Sequence, residues 1–215
     1  MKVYIFKICS CIPCFPWTTA FSQGNSELIQ MRTFIAIELP THIKQHLGDI
    51  VRQLRRSDVH AGWVKPDNLH LTLKFLGDVD ESLLPQIVEQ IDQVAKQQTA
   101  FRADLNEFGF FPSRNRPRIL YAAFEDPLPL MQLLQHLDRL LKPLGIAPEQ
   151  RFHPHITLAR IKDSKKTKEL QRMTDDIALR QTFTVYAISL FNSTLHSDGA
   201  RYQRLHRSLL REPGI

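Results

Sequence analysis

Two histidines stand out because each is followed, two residues on, by a threonine within alternating apolar residues: Leu69-His70-Leu71-Thr72-Leu73 and Pro154-His155-Ile156-Thr157-Leu158. On a strand, positions i and i+2 share a face, so each imidazole stands beside its own hydroxyl. An imidazole gives or takes a proton near neutral pH. Opening a phosphodiester requires one group to activate water and another to protonate the departing oxygen. Two histidines in opposite protonation states supply both. Threonine hydroxyls are short neutral donors for the non-bridging phosphate oxygens, and Arg160 adds a fixed positive charge. A single histidine on a strand is more often a half-buried surface residue than a catalyst; the matched pair reverses that reading. The remaining histidines, His42, His46, His60, His136, His196 and His206, have no such context, and His153 is read as structural. Zinc sites usually need three or four protein ligands, with histidines oriented by carboxylates. Neither motif contains Asp or Glu, so no metal is expected.

The elements that must position these residues follow from periodicity. Thr33–Leu39 is a strand ending at Pro40, and Thr41 begins a helix to about Arg56 with Ile43, Leu47, Ile50, Val51 and Leu54 on its apolar face. Trp63-Val64 is a short extended piece. Leu69–Leu76 alternates most clearly: Leu69, Leu71, Leu73 and Phe75 point one way, His70, Thr72 and Lys74 the other, with Gly77-Asp78 as its end. Helices are expected from Ser82 to about Lys96 and over Leu128–Leu141, and strands over Phe101–Phe111, Ile119–Phe124 and His155–Ile161. Residues 164–179 are polar, lysine-rich and partly helical. Thr182–Phe191 and Arg201–Leu210 are two closing strands joined by a turn at Ser197-Asp198-Gly199. This pattern predicts an α+β fold with largely antiparallel sheets. The repeated His-x-Thr strand predicts a bilobal, duplicated architecture: two pseudo-symmetric lobes with flanking helices and a cleft between them.

Hydrophobic residues make up 43% and charged residues 23%, the formal charge is +6 and the pI is near 9.4. That balance suits an anionic substrate more than a dedicated nucleic-acid binder. No uncharged apolar stretch of about 20 residues is present, so no membrane span is expected. Cys9, Cys11 and Cys14 are the only cysteines, which leaves no disulfide framework or Cys-based zinc site for the rest of the chain and fits a cytoplasmic protein. Residues 1–30 form a poor secretory signal, interrupted by Lys7, Pro13 and Pro16. They are expected to be a disordered leader or the product of an upstream start codon, ahead of a single bilobal domain over 31–215.

Longer motifs surround the two histidines. Trp63-Val64-Lys65-Pro66, Asn68-Leu69-His70-Leu71-Thr72-Leu73-Lys74-Phe75-Leu76-Gly77 and Phe152-His153-Pro154-His155-Ile156-Thr157-Leu158-Ala159-Arg160 resemble the two signatures of the two-histidine (2H) phosphoesterases. Within that superfamily the chain is most similar to the RNA 2′,3′-cyclic phosphodiesterases, also called 2′-5′ RNA ligases. The resemblance includes Arg32-Thr33-Phe34-Ile35-Ala36-Ile37, Phe110-Phe111-Pro112-Ser113, Arg116-Pro117-Arg118 and Ser197-Asp198-Gly199-Ala200-Arg201-Tyr202, and spans about residues 31–210. It implies metal-independent hydrolysis of 2′,3′-cyclic phosphate on RNA ends or nucleotides, to a 2′-phosphate; no cofactor and a monomer are expected. By the same resemblance His70 is the proton donor to the departing 3′ oxygen and His155 the acceptor that activates water. Thr72, Thr157 and Arg160 hold the phosphate. Strict alternation sets Arg160 opposite His155, so either the strand bends or ends near Ala159, or Arg160 is a structural surface residue.

Two other readings compete. The same histidines permit the reverse reaction, a 2′-5′ ligation of tRNA-half-like ends, without an ATP-binding loop. A nucleotide- or RNA-binding module with an idle cleft is the other, though a pure binder has no need of two proton-transfer groups. Phe75 is read as core rather than base-stacking platform. The Arg114–Arg118 loop is either an RNA-steering or a solvated charged loop, and Lys165, Lys166 and Lys168 are a solvated charge run.

Overall fold

The expected opening strand starts the described part of the chain. The computed structural model describes residues 30–163, 165–197 and 199–213. The cysteines and all but the last residue of the expected leader lie outside it. Nine strands are described: β1 (Gln30–Glu38), β2 (Ala61–Trp63), β3 (His70–Asp80), β4 (Phe101–Phe111), β5 (Ile119–Phe124), β6 (His155–Ile161), β7 (Gln181–Val185), β8 (Ala187–His196) and β9 (Gly199–Leu209). The helices are α1 (Thr41–Leu54), α2 (Leu84–Gln97), α3 (Leu128–Leu141) and α4 (Thr167–Asp175). None is long and apolar enough to cross a membrane.

The strands form one curled antiparallel sheet in the order β7-β4-β5-β6-β3-β1-β8-β9, with β2 added beside β6. Outward from the middle, β3-β1-β8-β9 mirrors β6-β5-β4-β7, so the two expected lobes are the two halves of this sheet. Between the halves, the ladder pairing of β3 with β6 among the described residues is Leu71 with Ile156. Beyond that point β6 pairs instead with β2, which aligns Gly62 with Arg160.

The apolar stripes read from the sequence cover one face of the sheet. Ile43, Leu47 and Leu54 of α1, Ile87, Ile91 and Val94 of α2, and Leu133, Leu137 and Leu141 of α3 are buried in one cluster with Leu71, Leu73, Ile156 and Leu158. Each such side chain contributes about 1.5–3 kcal/mol relative to an exposed one, so the backs of both histidine strands are anchored where most apolar area is removed from water. The opposite face carries a small separate cluster of Phe34, Ala36 and Phe191, with Tyr202 against it.

Three expectations need correction. The segment Thr182–Phe191 is not one strand: the chain leaves the ladder at Tyr186, so β7 pairs with β4 at one end of the sheet and β8 with β1 in the other half. Both pieces are rich in β-formers, and nothing local marks the crossing. Strand β3 does not stop at Gly77-Asp78 but continues to Asp80, with Gly77 at φ +76° inside it, a backbone conformation that glycine adopts without steric cost. Lys74 and Phe75, third, have exchanged faces. Opposite β1, Ile35 pairs with Lys74 but the next residue, Ala36, pairs with Thr72, so Leu73 is an extra residue. Such a bulge shifts the alternation by one. Lys74 turns under the sheet at 3% exposure, where its ammonium meets the Asp138 carboxylate and the Ala147 carbonyl, the latter at 2.6 Å. Phe75 turns out of the core and is 67% exposed.

Candidate active site

The Leu71–Ile156 pairing determines what faces what. In an antiparallel ladder, one step either side of that pair sets His70 against Thr157 and Thr72 against His155. The two motifs thus form a square of alternating imidazoles and hydroxyls on the face away from the core. All four line one cleft of about 520 Å³, within the usual size of a small-ligand pocket.

Strand β6 repeats the bulge of β3. Opposite β5, Leu120 pairs with Ala159 but Tyr121 pairs with Thr157, leaving Leu158 as the extra residue. Leu73 and Leu158 occupy the same place in the two motifs, immediately after the threonine. Leu158 and Ala159 are both buried, and Arg160 returns to the histidine face and lines the cleft. The strand therefore bends as one of the sequence alternatives required. The residue equivalent to Arg160 in the other half is Phe75, which lines the same cleft.

Both imidazoles are oriented in the same way. His70 Nδ1–H donates to the Asn68 carbonyl and His155 Nδ1–H to the His153 carbonyl, each at 2.7 Å. A carbonyl only accepts, so the proton of the neutral ring sits on Nδ1, and Nε2 is the atom offered to a ligand. Thr72 Oγ1 lies 3.0 Å from His70 Nε2. Burial holds His70 below the usual histidine range, opposed by its bond to Asn68 and assisted by the charges of Lys44, His155 and Arg160. Burial also lowers His155, opposed by the His153 carbonyl and assisted by His153 and Arg160.

Aromatic rings wall both histidines. Phe34 and Tyr202 lie 5.0 and 5.1 Å from the His70 ring; Phe111 and Tyr121 lie 5.0 and 5.4 Å from that of His155. Phe111 stacks on Tyr121 at 4.2 Å. Tyr121 lies flat because Gly109 faces it: a Cβ there would collide with the phenol ring. Asn68, besides its carbonyl, donates its side-chain amide to the Ala200 carbonyl at 2.9 Å, tying β9 to the His70 strand.

Asn68, Tyr202 and His153 belong to the quoted motifs, but no pattern in the sequence assigned them these contacts. In the Arg114–Arg118 loop, Arg114 makes a two-pronged ion pair with Asp175 of α4 at 2.8 and 2.9 Å, so it staples the loop. Lys166 likewise pairs with Asp58 at 3.1 Å, and His206 bonds Asp92 at 2.8 Å. Among the described residues, no three His, Cys, Asp or Glu side chains converge as a metal ligand set.

A family model described as LigT like Phosphoesterase matches residues 37–121 and 125–202, one His-x-Thr motif in each stretch. The RNA 2′,3′-cyclic phosphodiesterase of Thermotoga maritima is 32% identical over 177 residues, covering 82% of this chain and 94% of that protein. That of Methanothermobacter thermautotrophicus is 28% identical over 176 residues, covering 81% and 96%. A crystal structure of a Thermus thermophilus protein superposes with a TM-score of 0.70 at 28% identity, covering 86% of this chain and 100% of that one. For Escherichia coli LigT complexed with 3′-AMP the TM-score is 0.67 at 26% identity, covering 84% and 98%.

Proposed function

Because the chain belongs to the LigT-like phosphoesterases, we propose that it hydrolyses the 2′,3′-cyclic phosphate of RNA ends or nucleotides to a 2′-phosphomonoester. The observation that carries this reading is the Leu71–Ile156 register, which sets two imidazole–hydroxyl pairs across one cleft.

His155 Nε2 takes a proton from water as the water oxygen attacks phosphorus. His70 Nε2–H gives a proton to O3′ as the P–O3′ bond breaks, and O2′ keeps the phosphate. Each histidine ends in the other's starting state, and proton exchange with solvent resets the pair. Thr72, Thr157 and Arg160 hold the non-bridging oxygens, where negative charge grows at the pentacoordinate stage. In the resting site burial favours the neutral imidazole, which suits a base; the acid form of His70 is favoured when the phosphate anion arrives beside it. Phe75, exposed at the cleft edge, offers a ring face to the nucleobase.

The test is product analysis. Purified protein, treated with EDTA and supplied with a nucleoside 2′,3′-cyclic phosphate, is expected to yield the 2′-phosphate alone. Formation of the 3′-phosphate, or no turnover, would refute the mechanism.

A further inference from the structure

The reaction just described leaves unused a second cavity, of about 290 Å³, behind the His70 ring. Phe34, Asn68, His70 and Tyr202 belong to its wall and to the catalytic cleft alike, so the imidazole is part of the partition. Lys44, from the first turn of α1, lines this cavity half-buried. Its ammonium donates to the Asp67 carbonyl at 3.1 Å. Among the described residues no carboxylate lies within ion-pair distance of it. Two of its three N–H donors are therefore left for a ligand. The other charges of the wall are differently placed. Glu38 is bound by Arg204 at 3.0 Å and by Ser189 at 2.7 Å, and Asp67 is exposed. A half-buried lysine whose ammonium keeps only a carbonyl for company is suited to a phosphate oxygen.

Nucleotide stereochemistry says which phosphate that is. In the proposed reaction His70 protonates O3′. The ring carbon next to C3′ is C4′, which carries C5′ and O5′, whereas O2′ and the base-bearing C1′ lie on the other side of the sugar. The substituent that leaves the cleft past His70 is accordingly the 5′ one. Resting on that assignment of His70, we propose that the cavity behind it is a subsite for the 5′-phosphate of the terminal nucleoside, with Lys44 as counter-ion. In RNA this group is the phosphodiester to the penultimate nucleotide, so the site distinguishes an RNA end from a lone nucleoside cyclic phosphate. Lys44 also stands close enough to His70 to oppose its protonation; a phosphate bound there offsets that charge and favours the acid form of His70.

The experiment compares kcat/KM for adenosine 2′,3′-cyclic phosphate with a free 5′-hydroxyl and for the same compound bearing a 5′-phosphate. The wild-type ratio is expected to favour the 5′-phosphate by roughly tenfold or more, the usual consequence of one charged hydrogen bond, and to shrink as salt is added. Lys44→Ala and Lys44→Gln bring the ratio close to one, while Lys44→Arg keeps most of it. Each protein is its own reference, so a general loss of folding or activity cancels. A wild-type ratio near one, or a ratio undiminished in Lys44→Ala, overturns the subsite while leaving the hydrolase intact. If the wild type turns over neither compound, the hydrolase reading falls and takes the subsite with it.

Discussion

Around His70 the strand runs into Phe75 and is underpinned by Lys74; around His155 the equivalent places hold Arg160 and Ala159. The local plan is shared: a histidine whose Nδ1–H is bound by the carbonyl two residues earlier, a threonine on the same face, a bulged leucine, then a residue swung back to the cleft. What differs is the finish. The His155 half brings a guanidinium to the cleft and has a small apolar residue beneath it. The His70 half brings an aromatic ring and sits above an ion pair of Lys74 with Asp138, whose side chains are 2% and 12% exposed. A duplicated scaffold thus matches the symmetric need of the proposed reaction, one proton in and one out. Charge on one side and an apolar platform on the other match the asymmetric need of the proposed substrate, with a phosphate at one end and a base at the other.

The comparison breaks first if the two imidazoles are not equivalent in necessity. His70→Ala and His155→Ala are each expected to lower kcat by roughly 10²–10⁴-fold, and the double variant to be little worse than either single one, because the groups act as a unit. Steady-state hydrolysis of a cyclic nucleotide measures this; a His155→Ala variant at full rate would leave only one working half. Next, Asp138→Ala strands the buried Lys74 ammonium and should destabilise the protein by about 3–5 kcal/mol in denaturant unfolding. Replacing both partners with apolar residues should recover most of that loss. No such pair exists under Ala159 among the described residues, so this sensitivity belongs to the His70 half.

The cleft residues sharpen the contrast further. Arg160→Ala is expected to reduce kcat/KM by about 10–100-fold, as loss of a charged hydrogen bond does. Phe75→Ala should cost about tenfold or less, chiefly in KM, as loss of base stacking does. Equal effects of the two on kcat would remove the division of labour.

The smallest effect is in the pH profile. Both histidine pKa values are lowered, so the free enzyme's acid and base limbs both lie below histidine's ordinary range. On rising pH the protonated fraction of His70 falls early, and kcat/KM is expected to peak on the acid side of about 6.5. Lys44→Ala removes a charge that lowers His70 but is not among those acting on His155. It should raise the His70 limb alone. A maximum well above neutrality, or a shift of both limbs together, would contradict this electrostatic picture.

Much of this was legible before any coordinates. The His-x-Thr pairs, the amphipathic faces of α1, α2 and α3, and the antiparallel α+β class all rest on local periodicity, and Ile119–Phe124, Leu128–Leu141 and His155–Ile161 have the ends that periodicity predicts. Phe75 and Lys74 escape that logic for a definite reason. Alternation is a property of one strand, whereas a bulge exists only relative to the neighbour it is counted against. Nothing in Leu73-Lys74-Phe75 says that β1 skips a residue there. The crossing at Tyr186 is hidden in the same way, because Gln181–Val185 and Ala187–His196 are equally good strands whichever partner they find.

The sequence by itself determined which groups are able to carry proton transfer and that each histidine shares a strand face with its threonine, since a side chain's type and its two-residue period are written locally. Tertiary structure alone decided that Leu71 meets Ile156, that Arg160 and Phe75 turn back toward the cleft, and that Lys44 lines a cavity behind His70. Those outcomes depend on contacts between residues far apart in the chain, where register and burial are settled by the packing of the whole sheet.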